Sequence, residues 1–243
     1  MLALVLVWLT AVPEPSLGQS LRALASTRVL VAHQLVGQNV LDGVSVLAYQ
    51  NAVPLRIDEK PFTGAGILHA WVGPDGSPLG KLRAFVALLE ESRGVQVAWV
   101  ELSYADLNAD TDPNALFIAF QSCHDALKIR FPQVRFLIAT VGLTTVQRGL
   151  QGMLKNKTAS GAFGELQNVK RHQFNQLLRA RYGGSASLFF DLAAVTSSGC
   201  SFERDGKQWP CLLDGLTDDG GHLNALGRKR AGRAFIDAVA AAL

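Results

Sequence analysis

TDDGGHLNALG, residues 217–227, sits just ahead of the last helical pattern of the chain. Asp219 and His222 lie three residues apart in it. At a helix start this spacing can bring a carboxylate to an imidazole. A carboxylate that accepts the Nδ1 proton fixes the tautomer and leaves Nε2 free to act as a base. It also offsets the positive end of the helix, which would otherwise depress the histidine pKa. A plainer reading stands beside this one: Asp219 caps the helix and His222 is an ordinary first-turn residue. The rest of the chain weighs between them.

Upstream, short β-rich apolar runs alternate with helical patterns. The runs are RVLVAH (28–33), GILHAWV (66–72), VQVAWVELS (95–103), VRFLIATV (134–141) and ASLFFDLA (186–193). Helical patterns follow over 37–49, 79–92, 113–130, 163–182 and 222–242, the third opened by Pro113, which suits a first turn. Strands that are apolar throughout, with helices between them, indicate a parallel sheet covered on both faces. Five such units predict one three-layer α/β/α sandwich with a five-stranded parallel sheet. Ligands bind such sheets at the carboxyl ends of the strands. Candidate residues therefore follow the strands: His33 and Gln34, Gly73 and Asp75, Ser103, Thr140 to Thr144, then Asp219 and His222. There is no GxxxxGK[ST] and no GxGxxG after the first strand, which removes most support for nucleotide binding. There is no GxSxG elbow either, which weakens an α/β-hydrolase reading.

DGGHLNALGRKRAG, placed after five βα units, resembles the last sequence block of the SGNH (GDSL-type) hydrolases. Three further stretches match a bacterial, often exported branch of that superfamily: HQLVG (33–37), GPDGSP (73–78) and NVKRHQFN (168–175). The resemblance covers about residues 27–240 and implies a flavodoxin-like three-layer esterase or acylesterase. It implies Asp219 as the orienting acid and His222 as the general base. It implies that the backbone N–H of Gly73 helps bind an oxyanion, and that the loop TVGLT, beginning at Thr140, lines the site with Gln34 and Asp75. The substrate class it implies is an O-acyl, often acetyl, ester of a carbohydrate or of a small alcohol.

Two residues depart from that pattern. The position of the family's nucleophilic serine is held by Leu35, which has no hydroxyl and cannot attack a carbonyl. Asp75 stands where the related loop carries Asn, and an ionised carboxylate donates no hydrogen bond and opposes a developing oxyanion. Three accounts follow. The chain is a degenerate hydrolase that binds an acylated glycan or a partner. It works with another nucleophile, Ser77 and Ser103 being at strand ends, or with a water activated by the Asp219–His222 pair. Or Leu35 replaces a serine of the parent chain.

The bulk numbers fit one domain. With 49% hydrophobic and 18% charged residues the 243-residue chain suits a sizeable core. A net charge of +3 without a basic, aromatic-interleaved stripe gives no argument for nucleic acid. Residues 2–12 are almost wholly apolar, too short to span a bilayer and the right length for the core of a signal peptide. No Lys or Arg precedes Arg22, so the usual positive n-region is missing. The expectation is an exported, secreted or periplasmic monomer with a leader over 1–20 and one domain over 21–243. Cys200 and Cys211 flank the turn-rich SFERDGKQWP and could close it as a disulfide, while Cys123 reads as a buried free thiol. No histidine pair has metal spacing, so neither metal nor other cofactor is expected. His33 and His69 read as satisfied structural residues, His124 and His172 as surface residues, and Trp71 as a core or rim residue. Asn156-Lys157-Thr158 fits a glycosylation sequon, and residues 150–162 suit a flap.

Overall fold

Strand β1 (Arg28–His33) is buried from Val29 to His33. A strand covered on both faces keeps no polar alternation, which is why this stretch reads as an apolar run. In the computed structural model, which describes residues 15–59, 61–146, 161–184, 188–241 and 243, β1 lies inside the sheet. It pairs in parallel with β3 (Gly66–Trp71) and β4 (Val97–Val100). β2 (Ile57–Asp58) flanks β3, and β5 (Arg135–Ala139) and β6 (Phe189–Phe190) continue beyond β4. The order is β2-β3-β1-β4-β5-β6, all parallel. The sheet has six strands among the described residues, against the five expected. The extra one is the two-residue β2, too short to carry a periodic signal.

One face of the sheet is covered by α1 (Leu17–Ala25), α2 (Leu35–Gln50) and α7 (Ala225–Ala240). Their core includes Leu21, Leu24, Val40, Trp99, Phe235 and Ile236. The other face is covered by α3 (Pro78–Glu91), α4 (Pro113–Arg130) and α5 (Glu165–Tyr182), with Phe85, Phe120, Leu127 and Phe174 inside. A short α6 (Leu192–Ser197) follows β6. The fold is thus a three-layer α/β/α sandwich. The winding direction reverses across β1, and in such sheets ligands bind at the carboxyl ends of the strands beside that switch point.

Three boundaries differ from the sequence reading. Residues 17–20, expected in a leader, form the first half of α1. A capping box opens that helix: the Ser16 hydroxyl accepts from the Gln19 amide, and the Gln19 side chain accepts from the Ser16 amide at 2.8 Å. The apolar run 2–12 lies outside the described residues. The segment between Cys200 and Cys211, expected as a loop, is an antiparallel hairpin of β7 (Ser201–Arg204) and β8 (Lys207–Pro210), and the two cysteines are joined in a disulfide. Asp205 and Gly206 turn it with φ of 52° and 71°, the Asp-Gly signature of a two-residue hairpin. The third boundary, the start of α7, belongs to the site. The sequon and most of the expected flap lie outside the described residues, and no helix among those described is long and apolar enough to cross a membrane.

Helices α2 and α7 touch backbone to backbone. A Cβ added at Gly43 would fall 1.8 Å from the Arg228 carbonyl oxygen, and one at Gly232 would fall 2.6 Å from Val44 N. Backbone cannot yield as a flexible side chain does. Gly43→Ala is therefore expected to lower unfolding free energy by about 3 kcal/mol, at the upper end of overpacking costs. Urea denaturation of the two chains checks this; a change within about 0.5 kcal/mol, typical of a neutral surface substitution, would mean that the helices separate freely.

Candidate active site

The Asp219 carboxylate is held by its own loop. Oδ1 accepts from the Gly221 amide at 2.9 Å and the His222 amide at 2.8 Å, and Oδ2 accepts from His222 Nδ1 at 2.5 Å. Partial burial pushes this carboxyl up, but the Gly221 amide, the imidazole and the His222 amide outweigh it and bring it down to about 2. Asp219 is not the helix cap. Helix α7 starts at Ala225, capped by Asn224, whose side chain accepts from the Leu226 and Gly227 amides. The helix was expected from His222. It starts three residues later because the Asp219 turn uses the amides of Gly221 and His222, so His222 lies ahead of the helix and not in its first turn.

On the far side of the imidazole, Nε2 lies 3.2 Å from the hydroxyl of Tyr104. In the neutral ring with its proton on Nδ1, facing a carboxylate that can only accept, Nε2 accepts and the phenol donates. Tyr104 begins a single 3-10 turn (Tyr104–Asp106) just after β4. Burial, then the charges of Asp219 and Asp75, push the phenol up to about 12. Phe163 packs on the Tyr104 ring and Arg171 sits over it, while Arg171 Nε also donates to the Tyr104 carbonyl at 2.9 Å. Gly221 leaves the room: a Cβ there would lie 2.9 Å from the phenol oxygen.

Leu35 is the first residue of α2 and is 48% exposed. Asn39, one turn further, accepts from the Leu223 amide at 2.8 Å and so joins α2 to the residue after His222. Beneath the first turn of α2 lies Glu101, fully buried. Its Oε2 accepts from the amides of Gln34 at 2.7 Å and Gly37 at 2.8 Å. Burial pushes this carboxyl up to about 7 against those two bonds.

The other residues singled out from the sequence are placed as follows. Gln34 is committed to the fold: its amide nitrogen donates to the carbonyls of Val72, at 2.6 Å, and Gly73. Gly73 has φ of 58°, the left-handed region, and the Lys81 stem packs beneath it. Asp75 does not stand as a bare charge in an oxyanion site. Its Oδ1 takes Lys81 Nζ at 3.1 Å and the Ser103 hydroxyl at 3.0 Å. Lys81 is fully buried and bonds Asp106, also fully buried, at 2.8 Å. Ser103 is thereby tied to Asp75, Lys81 and Asp106. Thr140 is buried: its hydroxyl donates to Asp191 and accepts from the Ala193 amide, so it offers no free group to a ligand. It is Thr145, further along that loop, that meets the Asp219 turn: its backbone N–H donates to the Gly220 carbonyl at 2.9 Å.

His33 and His69 bond each other, Nε2 to Nδ1 at 2.9 Å, and burial holds His33 down at about 4. Trp71, 45% exposed, packs on His33. His124 is not a surface residue: it is half-buried between Phe136 and Tyr182. His172 is also half-buried, against Trp209. Tyr104, Glu101, Lys81, Asp106 and Arg171 complete these networks, and none of them stands out as a site residue in the sequence.

The same architecture occurs in solved structures. A protein of Desulfitobacterium hafniense DCB-2 assigned to the G-D-S-L family of lipolytic proteins superposes with a TM-score of 0.50, at 12% identity, over 87% of this chain and 99% of its own. A protein of Parabacteroides merdae ATCC 43184 assigned as a GDSL-like lipase gives 0.51 at 9% identity, over 89% and 96%. The acetyl xylan esterase AlAXEase gives 0.51 at 13% identity, over 85% and 96%. No family model and no curated protein matches the sequence. The chain has the SGNH hydrolase fold.

Two outcomes are expected of the buried charges. Lys81→Met should destabilise the protein by about 3–5 kcal/mol, because Asp106 is left buried and uncompensated. Adding Asp106→Asn should recover part of the loss in guanidinium unfolding. Glu101 gives a pH signature. Its pKa rises on folding, so the native state keeps a proton that the unfolded chain releases from about 4.5. The stability it contributes is complete below that pH and is lost as pH rises through about 7. Glu101→Gln should remove this fall, which urea titrations at pH 5, 6, 7 and 8 measure; parallel curves for both chains would exclude it.

Proposed function

We propose that this chain is an esterase-type protein on the SGNH scaffold that takes O-acyl esters of carbohydrates or of small alcohols, with the serine route closed at Leu35. The observation that carries the reading is the Asp219–His222 pair, complete in its hydrogen bonds and set on the same loop cluster as the first turn of α2. A carboxylate on Nδ1 orients the ring and steadies the imidazolium formed when Nε2 takes a proton. Asp75, paired with Lys81, presents less charge to an oxyanion than its sequence position suggested. The Cys200–Cys211 disulfide supports a site of action in an oxidising compartment.

The experiment is hydrolysis of p-nitrophenyl acetate by the chain and by its Leu35→Ser variant, with fluorophosphonate labelling of both. The variant is expected to turn over at least about 10²-fold faster and to carry the label at position 35, the scale of a positioned general base acting on a hydroxyl. A well-folded variant that gains neither activity nor label, in a chain that neither turns over nor binds an acetylated ester, would defeat the reading. An acetylated xylo-oligosaccharide titrated by calorimetry tests the substrate class separately.

A further inference from the structure

Position 35 has no hydroxyl, yet the base of this site has one in reach. Tyr104 Oη lies 3.2 Å from His222 Nε2, and His222 Nδ1 lies 2.5 Å from Asp219 Oδ2. That is the sequence of contacts, hydroxyl to base to orienting acid, by which an activated nucleophile is recognised. The geometry points to Tyr104 as the nucleophile of this site, in a Tyr104–His222–Asp219 triad that passes an acyl group from an ester to the phenol and then to water. The inference rests on the ester-binding reading above and supplies the hydroxyl that reading lacks.

Three observations carry it. The phenol is built into place rather than resting there: Phe163 and Arg171 fix the ring, and the missing side chain of Gly221 admits its oxygen to the Asp219 loop. The competing hydroxyl at the end of β4 is spent, since Ser103 bonds Asp75, Lys81 and Asp106. A third of the His222 side chain is exposed, so the pair is open from the imidazole side while Tyr104 is nearly buried. The phenol proton also costs less to remove than that of water. Even pushed up to about 12 it stays well below the value of roughly 15.7 for bulk water.

The step balances without a cofactor. Oη attacks the ester carbonyl carbon as its proton passes to Nε2. The bond from that carbon to the alcohol oxygen breaks, and the alcohol leaves with the proton. Water then attacks the aryl ester and gives a proton to Nε2. The bond from carbon to Oη breaks, the phenol recovers its proton, and the carboxylic acid departs. A phenoxide is a weaker base than an alkoxide and leaves more readily, which favours the second half.

The test uses the full chain and p-nitrophenyl acetate, quenched in acid and read by peptide mass spectrometry. One acetyl group is expected on Tyr104, at a rate that falls about 10²-fold or more in His222→Ala, the scale of general-base catalysis. Tyr104→Phe should lose both the adduct and the initial burst of p-nitrophenolate. Acetylation of Tyr104 at equal rates in the parent and in His222→Ala would be simple chemical modification and would overturn the proposal. So would a parent that stays unacetylated at Tyr104. In that second case, saturable binding of the acetylated xylo-oligosaccharide with an active Leu35→Ser variant leaves the ester-binding reading standing; loss of both removes it as well.

Discussion

The contact between α2 and α7 governs the site. Helix α2 begins at Leu35, and α7 begins three residues after His222. Because Gly43 and Gly232 carry no side chains, the two helices meet at backbone distance. A side chain at either glycine would push them apart, and the separation would be felt at their amino ends. There the Asn39 side chain and the Leu223 amide close the gap with one bond of 2.8 Å. The space between position 35 and the imidazole is therefore set by a packing constraint deep in the layer, well away from both.

The other wall of the site is held by polar bonds in place of apolar packing. Asn168 binds both backbone groups of Thr144, and Asn175 binds both backbone groups of Val141. Arg171, fully buried between them in sequence, reaches the Thr144 hydroxyl and the carbonyls of Tyr104 and Ala162. One helix face thus satisfies the loop after β5 and fixes the turn after β4. Loops buried in this way would carry unpaired backbone groups without such partners, at a cost of about 1–3 kcal/mol each. The stretch NVKRHQFN, which in the sequence is only a family likeness, has a concrete structural role, because it holds Tyr104 in place from behind.

Much of the fold was legible because a doubly covered parallel strand writes itself as an apolar run. RVLVAH, GILHAWV and VRFLIATV each contain a strand for that reason. β2 was not legible, since two residues leave no period. The hairpin at Ser201–Pro210 had a readable signal, Asp205-Gly206 between polar strands, but polarity suggested a loop. In the site, the Asp219–His222 contact was legible because it is local, three residues apart. Tyr104 and Glu101 were not, because their partners are distant in sequence: Tyr104 meets a residue 118 positions away and Glu101 one 67 positions away. Lys81 was hidden differently. On a helix pattern it reads as a solvated cation, and only the fold shows it buried against Asp106. Thr140 was misjudged because a residue at a strand end can turn outward to the crevice or inward to a neighbouring loop, and it turns to Asp191.

Leu35 and Asp75 looked, in the sequence, like two injuries to one site. The structure separates them. The Asp75 charge is answered by a buried lysine and a serine hydroxyl, so it belongs to a network that also carries Asp106 and fixes Ser103. That network explains why the hydroxyl nearest the end of β4 is not the one that meets the base. Leu35 has no such compensation, and half its surface remains exposed at the head of α2. What stands opposite the imidazole is instead a phenol held by a cation, an aromatic ring and the space left by a glycine. Here, with the ring proton on Nδ1, the Nε2 lone pair accepts from that phenol at 3.2 Å.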